Sequence, residues 1–412
     1  MQPLRRIVSS HVGRSSLSNP IRVFTCRLAF QHSPIPVQFR SFSGTVPRRH
    51  QDPIPSAALS SSGICHLTSR SLIKVSGPDA AKFLQGVITS NLFTSLGPQA
   101  QVRTNTPGFY SAFLTAQGRI LHDVFIYLQS PEQFLIEVDA NEAEKLSKHI
   151  KRYKLRAKFD VSVLSGEEVK VWHVFTGAAF RHEGLCLPER HKEDGMIILP
   201  DPRAYGMGIR VISTSSSDYS SRKILDPLPV VPEKAYTVHR YLLGVAEGQS
   251  ELLYGASLPH ESNMDVMNAI DFRKGCYVGQ ELTIRTEHRG VVRKRVLPCI
   301  LGGTSWEKWG FEESGGAERI DTGANLTKVE GEGEGAVKKR SNAVGKWLKG
   351  VGNLGLAVVR MEEAGVLEGE SGIGKEFVVV EGEEGGDGEK VRVRPFLPGW
   401  LRNKLIEKVE KP

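Results

Sequence analysis

"FYSAFLTAQGRILHDVFIYL", residues 109–128, consists of two apolar runs interrupted at Gln117-Gly118. Runs of this length, joined by a short glycine-containing break, predict an antiparallel hairpin. The flanking sequence extends the pattern both ways. Upstream, "RSLIKVSG" (70–77) reads as a strand and "PDAAKFLQGVITSNL" (78–92) as a helix. Pro78 suits the first helical position, and Phe83, Leu84, Val87 and Ile88 form one apolar stripe. Downstream, "QFLIEV" (133–138) is a further strand and "NEAEKLSKHIKRYKL" (141–155) a helix capped by Asn141, with Glu144 three residues on. Strand, helix, hairpin, strand, helix describes an α+β layer and not a doubly wound parallel sheet.

Further along, "FDVSVL" (159–164), "VKVWHVF" (169–175) and "GMGIRVI" (206–212) continue the strands. "PEKAYTVHRYLLGVAEG" (232–248) predicts a second strong helix, starting near Pro232, apolar at Ala235, Val238, Tyr241, Leu242 and Val245, and stopped by Gly248. From "VVRKRVLPCIL" (291–301) onward the pattern is short strands and glycines, which predicts a small antiparallel β-domain. A Gly/Glu/Lys-rich stretch between about 302 and 343 is expected to be a flexible insertion in that domain, because its composition buries too little surface.

The formal charge of +8 is concentrated at one end. Residues 1–51 hold eight arginines, no lysine and no acid; without those eight, 46 basic residues face 46 acids. An arginine-rich, serine-rich, acid-free start is the composition of a mitochondrial transit peptide, with "FRSFSG" (39–44) as its cleavage region. The alternative is a basic arm for nucleic acid or membrane. The balanced body argues against a broad nucleic-acid footprint. No apolar run approaches the roughly 18 residues of a membrane span.

Five cysteines, Cys26, Cys65, Cys186, Cys276 and Cys299, are far apart and form no CxxC pair, so neither a zinc knuckle nor a resident four-cysteine cluster is indicated. Cys276 stands apart through its setting, "KGCYVGQE" (274–281). Arg273 and Lys274 would favour a thiolate, and Gly275 and Gly279 permit a sharp backbone path that presents the sulfur at a surface. On this evidence alone a lone cysteine is more often a small buried hydrophobe. No partner base emerges, since His260 and His288 are near only in sequence. "RTEHRGVVRKR" (285–295) is either a site for an anion, such as a phosphate or polyglutamyl tail, or a solvated strand face. "KRYKLRAK" (151–158) reads as an exposed helix end. Asp123, just past the hairpin turn, is by default a solvated aspartate, with a pocket-facing role as the alternative.

"NAIDFRKGCYVGQELTIRTEHRG" (268–290), "FLQGVITSNL" (83–92) and "FLTAQGRILHDVFIY" (113–127) together resemble the glycine-cleavage T-protein-like superfamily, in the folate-binding YgfZ branch that includes mitochondrial iron–sulfur assembly factors. "AVGKWL" (343–348), "GLAVVR" (355–360) and "PFLPGW" (395–400) resemble that family's closing barrel, so the similarity covers about residues 64–400 apart from the low-complexity stretch. The resemblance, of a fungal mitochondrial type, implies a ring of subdomains with ferredoxin-like α/β parts followed by a C-terminal antiparallel β-barrel. The expected divisions are a presequence at 1–50, a folate-binding α+β region at 51–290 and the barrel domain at 291–412. It implies a functional motif of Lys274, Gly275, Cys276, Tyr277, Gly279, Gln280 and Glu281 with Cys276 at its centre. It further implies a pocket for tetrahydrofolate or a related folate, near which Asp123 and Arg203 are placed.

The function this implies is an assembly factor of the mitochondrial matrix, and not an enzyme. It would support 4Fe–4S clients of the aconitase and radical-SAM (lipoate and biotin synthase) kinds. A-type scaffold partners would act with it, and Cys276 would transiently ligate the cluster. Neither nucleic acid nor membrane insertion is expected. A folate-dependent aminomethyl or one-carbon transferase is the alternative, with Asp123 orienting the pterin. The chain departs from true aminomethyltransferases in carrying His122-Asp123 where they have an acidic pair, and in having the cysteine motif. A folate-binding role in tRNA thiolation is a third reading.

Overall fold

The computed structural model describes residues 62–95, 100–103, 105–175, 196–214, 228–302, 309–329, 343–368, 372–380 and 389–410. The proposed transit peptide and its cleavage region, together with Cys26 and Cys186, lie outside these residues.

The first half runs β1 (Gly63–His66), β2 (Arg70–Ser76), α1 (Ala80–Val87), β3 (Gly108–Leu114), β4 (Ile120–Ser130), β5 (Gln133–Asp139), α2 (Ala143–Tyr153), β6 (Asp160–Val163), β7 (Val169–Phe175), β8 (Met196–Pro200) and β9 (Ile209–Thr214). Two antiparallel sheets result, one in the order β3-β4-β5-β2-β6 and the other β1-β7-β9-β8. β3 and β4 form the expected hairpin, with Gly108 opposite Tyr127 and Leu114 opposite Ile120, and Gly118 turns it at φ 78°. Neither face of the hairpin meets water. Phe109, Phe113, Leu121, Val124 and Ile126 pack with α1 and α2, while Tyr110, Ala112, Leu114, Phe125 and Tyr127 enter a second core. Alternate residues thus serve two cores, which explains why both runs are continuously apolar.

The helices differ from expectation at their ends. α1 begins at Ala80, so Pro78 precedes it, and its buried residues are Ala80, Ala81 and Leu84. A single 3-10 turn, Ala140–Glu142, precedes α2, and Asp139, not Asn141, caps it by accepting the Asn141 N–H at 2.9 Å. α3 (Glu233–Leu242) does start after Pro232, but it stops at Gly244 (φ 68°), earlier than Gly248.

α4 (Gln280–Arg289) leads into a closed six-stranded antiparallel barrel. It comprises β10 (Lys294–Leu301), β11 (Asn325–Lys328), β12 (Gly345–Val351), β13 (Leu354–Arg360), β14 (Phe377–Val380) and β15 (Lys390–Pro395), in the order β10-β13-β12-β11-β14-β15. α5 (Met361–Ala364) follows β13, and α6 (Gly399–Glu410) ends the described chain. Leu297, Cys299, Trp347, Ala357, Phe377 and Val393 fill the interior. The glycine-rich stretch expected as one insertion at 302–343 is in part ordered. Trp309 is buried, and "NLTK" is β11, bridging β12 and β14. Four strand residues embedded in a polar stretch were masked by its average composition. Residues 303–308 and 330–342 are outside those described. The barrel and the α+β region belong to one compact unit, tied where the Trp400 indole donates to Leu243 O at 2.9 Å.

Between the two sheets and α3 lies a buried network of charges. Glu137 on β5 accepts from Arg70 Nε of β2 at 2.9 Å, from Tyr127 OH at 2.6 Å and from Arg210 of β9. Glu247 accepts from Arg203 at 2.6 Å, from Tyr236 OH of α3 at 2.7 Å and again from Arg210. Asp201 pairs with Arg203 at 2.7 Å, and Glu251 with Arg240 at 2.9 Å. Burial alone would raise the Asp201 and Glu247 pKa values, but the surrounding guanidinium groups outweigh it, holding Asp201 at about 2 and Glu247 well below the usual carboxylate range. Removing one member strands its partners uncompensated. Glu247→Gln is therefore expected to cost roughly 3–5 kcal/mol in denaturant unfolding. Glu313→Gln, which breaks only the exposed pair with Lys234, should leave the midpoint unchanged.

Candidate functional site

The three stretches that carried the family resemblance meet around the KGCYVGQE segment. Gly279 adopts φ 80° and caps the N-terminus of α4. A Cβ there would lie 2.3 Å from Thr115 O and 3.1 Å from Gly118 Cα, while a Cβ on Gly118 would lie 2.8 Å from Gly279 O. The hairpin turn and the motif thus approach backbone to backbone, through the two glycines that allow it. The other side of the motif is stitched to the end of α1. The Lys274 ammonium donates to Gln85 O (2.7 Å), Ile88 O (2.6 Å) and Ser90 O (3.0 Å), the carbonyls left over where that helix stops. Val278 N donates to Gly86 O at 3.0 Å, and the Thr89 and Ser90 hydroxyls both donate to Ala269 O.

This arrangement gives Lys274 a structural task. Its ammonium is committed to three carbonyls, and burial pushes its pKa down to about 7 against the opposing charge of Asp271. It serves as an anchor between the motif and the end of α1. Tyr277 is also buried, with its ring 4.8 Å from the Lys274 nitrogen. Gln280 accepts the Tyr277 N–H at 3.3 Å and tightens the turn into α4, where Glu281 occupies the favourable acidic first-turn position. No heavy atom lies within 4 Å of a Cβ built on Gly275, so that glycine borders open space beside the sulfur.

Cys276 itself is exposed, whereas Cys65 and Cys299 are buried and burial raises both thiols, Cys65 to about 12. Beside it opens a cleft of about 750 Å³ whose walls include Phe272, Cys276, Ile284, Arg285, His288 and Arg289. Part of "RTEHRGVVRKR" therefore belongs to a helix and not to a strand. Arg295, expected on a solvated face, is 3% exposed and pairs with Asp265 through both guanidinium nitrogens, at 2.8 and 2.9 Å.

Beneath α4, ligand atoms of His260, Asp265 and Glu287 lie within 4.8 Å of one another, a spacing that suits a divalent cation. The protein fills that role with its own cation. Lys408 of α6 donates to Asp265 Oδ2 at 2.7 Å and Glu287 Oε2 at 2.6 Å.

Asp123 and Arg203 are not at the Cys276 cleft. Asp123 is fully buried and not solvated, accepting from Gly248 N at 3.0 Å and Arg70 at 3.4 Å; Arg203 is 1% exposed and bound to Asp201, Glu247 and Tyr236. A second cleft of about 320 Å³ borders the ion network at Arg70, Arg240, Glu247 and Gly248, yet neither Asp123 nor Arg203 lines it, and it shares no wall residue with the first. Both are bonded to residues that do line the second cleft, Asp123 to Arg70 and Gly248 and Arg203 to Glu247. Arg70, Glu137, Arg210 and Glu247 were missed by sequence reasoning. For Arg70, Glu137 and Arg210 the available signal was a charged residue in each apolar strand, "RSLIKVSG", "QFLIEV" and "GMGIRVI"; Glu247, outside any strand, gave no such signal.

An α+β body closed by a six-stranded barrel is a T-protein-like fold, here carrying an exposed-thiol motif. The chain is similar in fold to the glycine cleavage system aminomethyltransferase T from Bartonella henselae, with a TM-score of 0.55 at 15% identity over 84% of this chain and 89% of that one. Residues 293–403 match the family described as CAF17, C-terminal beta-barrel domain. Among curated proteins, the chain is 48% identical to the mitochondrial iron–sulfur cluster assembly factor IBA57 homolog of Chaetomium globosum, covering 99% of both chains. It is 46% identical to the protein of the same name from Neurospora crassa, over 85% of this chain and 83% of that one. The chain belongs to the IBA57 family.

Two measurements check the site's construction. Gly279→Ala, forced into a left-handed conformation against Thr115, should lose roughly 1–3 kcal/mol of stability, while Gly275→Ala should fold as wild type. Asp265 has a pKa of about 2 against 3.8 in the open chain, because Arg295 and Lys408 outweigh its burial. Its contribution is complete above about pH 4 and is lost as pH falls through about 2, an effect on the order of 2 kcal/mol. Urea midpoints from pH 5 to 2 should therefore fall less steeply in Asp265→Asn than in wild type.

Proposed function

We propose that the protein is a mitochondrial iron–sulfur cluster assembly factor whose acting group is Cys276. One observation carries the assignment of the residue: among the described cysteines, Cys276 alone is exposed, and it stands on the wall of an open cleft. Family membership supports the function and the mitochondrial setting, since the relatives carry that role in their names. The arginine-rich, acid-free first 51 residues support matrix import.

Thiolate is the ligand iron–sulfur clusters select, and one cysteine is too few to hold a cluster alone. The remaining ligands come from a partner, for which an A-type scaffold fits, and the products go to 4Fe–4S clients of the aconitase and radical-SAM kinds. Cys276 joins the cluster by ligand exchange: its Sγ–Fe bond forms as a partner's S–Fe bond breaks, and its proton passes to the departing thiolate. Iron keeps its oxidation state throughout. The frame around the sulfur, Lys274 on one side and Gly279 on the other, holds it in place without covering it. No step in this scheme needs a folate, and Asp123 and Arg203 are engaged inside the protein.

Cys276→Ser should fold with wild-type stability and fail to activate a 4Fe–4S client in a strain lacking the endogenous factor. In the folded protein, iodoacetamide should label Cys276, and reach Cys65 and Cys299 only after unfolding. Full client activation by the serine variant would remove the thiol from the mechanism. Formation of methylenetetrahydrofolate from tetrahydrofolate and an aminomethyl donor would favour the transferase reading instead.

A further inference from the structure

One wall of the Cys276 cleft is a single face of α4. Glu281, Ile284, Arg285, His288 and Arg289 recur at the three- and four-residue spacings that align side chains on a helix, and all five line the cleft. Arg285 and Arg289 are exposed, and Glu281, one turn before Arg285, is the one acid among the residues lining this face, so two guanidinium groups stand against one carboxylate. Some surface cations are paired, as in Lys145–Glu142, Lys328–Glu363 and Lys404–Glu407, whereas Arg285 and Arg289 stand beside an open cleft and an exposed thiol. Arg289 lies in the last turn, where a cation complements the helix dipole, but Arg285 sits mid-helix and gains nothing from that. The charge-balanced body therefore carries a local excess of positive charge beside its exposed thiol. Exposed Val278 and Val291 flank α4 at its two ends, offering apolar contacts to a macromolecule.

Resting on the assembly-factor reading, we infer that this wall receives a thiolate-ligated iron–sulfur cluster presented by a partner protein with an acidic rim, and that Arg285 and Arg289 supply its counter-charge. Sulfide and thiolate ligands outweigh the ferric charge, so a thiolate-ligated cluster is an anion. Exchange of a partner thiolate for Cys276 leaves that charge unchanged, so the same two arginines serve before and after the exchange. Their flexible, weakly hydrated guanidinium groups suit the task, and a bound partner excludes the water that otherwise screens them.

The test compares the full-length chain with Arg285→Glu/Arg289→Glu and Arg285→Lys/Arg289→Lys. In the first measurement, Cys276 is alkylated with anionic iodoacetate or neutral iodoacetamide and read by peptide mass spectrometry. Charge reversal should lower the iodoacetate-to-iodoacetamide rate ratio roughly threefold or more, the lysine pair should keep it, and the difference should close in about 1 M KCl. In the second, uptake of a 2Fe–2S cluster from a loaded A-type scaffold is followed anaerobically by circular dichroism. Its rate should fall on the order of tenfold in the reversed pair and recover in the lysine pair. Wild-type behaviour of the reversed pair in both measurements overturns the inference. If Cys276→Ser is inert while the reversed pair takes up cluster normally, this inference fails and the assembly role of the thiol stands. If Cys276→Ser takes up cluster at the wild-type rate, both fall.

Discussion

A carboxylate shut away from water stays ionised only where cations surround it, and Glu247 is placed among Arg203, Arg210 and Tyr236 for that reason. Its partners come from separate parts of the chain: β9, the loop before it, and α3. Through Arg210 and Glu137 the same network reaches β5 and β2. Apolar burial favours compactness but has little directional content. Ion pairs with fixed donor geometry do have it, so the two sheets and α3 can meet in one register. Shifting any strand by one residue would leave a charge facing the core unpaired, at a cost the protein's marginal stability could not absorb.

The network also determines where the thiol stands. Asp123, whose carboxylate accepts from Arg70 and from Gly248 N, fixes β4 at its edge. β4 begins at the hairpin turn, and that turn carries Gly118 against Gly279. Rigid contacts thus run from the buried charges through the hairpin to the start of α4. From the opposite side, Lys274 ties the motif to the end of α1 through three carbonyls. Cys276 lies between the two attachments, so its backbone is held while its sulfur remains open to a partner. Lys408 adds a third restraint by bracing Glu287 on the far side of α4.

The sequence made the hairpin, the α+β class and the barrel legible because each rests on local periodicity and turn chemistry. "FYSAFLTAQGRILHDVFIYL" needed only its two apolar runs and its Gln-Gly break. Helix ends were less legible: Gly244 and Gly248 both take positive φ, and tertiary packing, which no local pattern reports, selected the first as the stop. β11 was hidden because four strand residues disappear in the average of a polar stretch. Cys276, singled out in the sequence by its setting, is exposed, while the ammonium of Lys274, expected to favour its thiolate, is bonded to carbonyls of another segment. A lysine beside a cysteine in sequence says nothing about which way its ammonium points, and three orphan carbonyls nearly two hundred residues upstream decided it. Asp123, read by default as a solvated aspartate, is buried instead, and the charge network engages both it and Arg203.

Arginines from one short basic segment meet opposite fates, and the difference bears on function. Arg295 lies on a strand whose neighbours are buried, so it is drawn inward and neutralised by Asp265. Arg285 and Arg289 lie one turn apart on a helix whose other face is buried through Thr283, so they line the cleft, with Glu281 as the one acid on that wall. In the free protein this costs little, because water solvates an exposed guanidinium and salt screens it. Once a partner covers the cleft the effective dielectric falls, and the same charges interact several times more strongly with whatever lies beside Cys276. The interior charges are paired within the fold, whereas the positive excess of the cleft wall faces solvent beside the thiol.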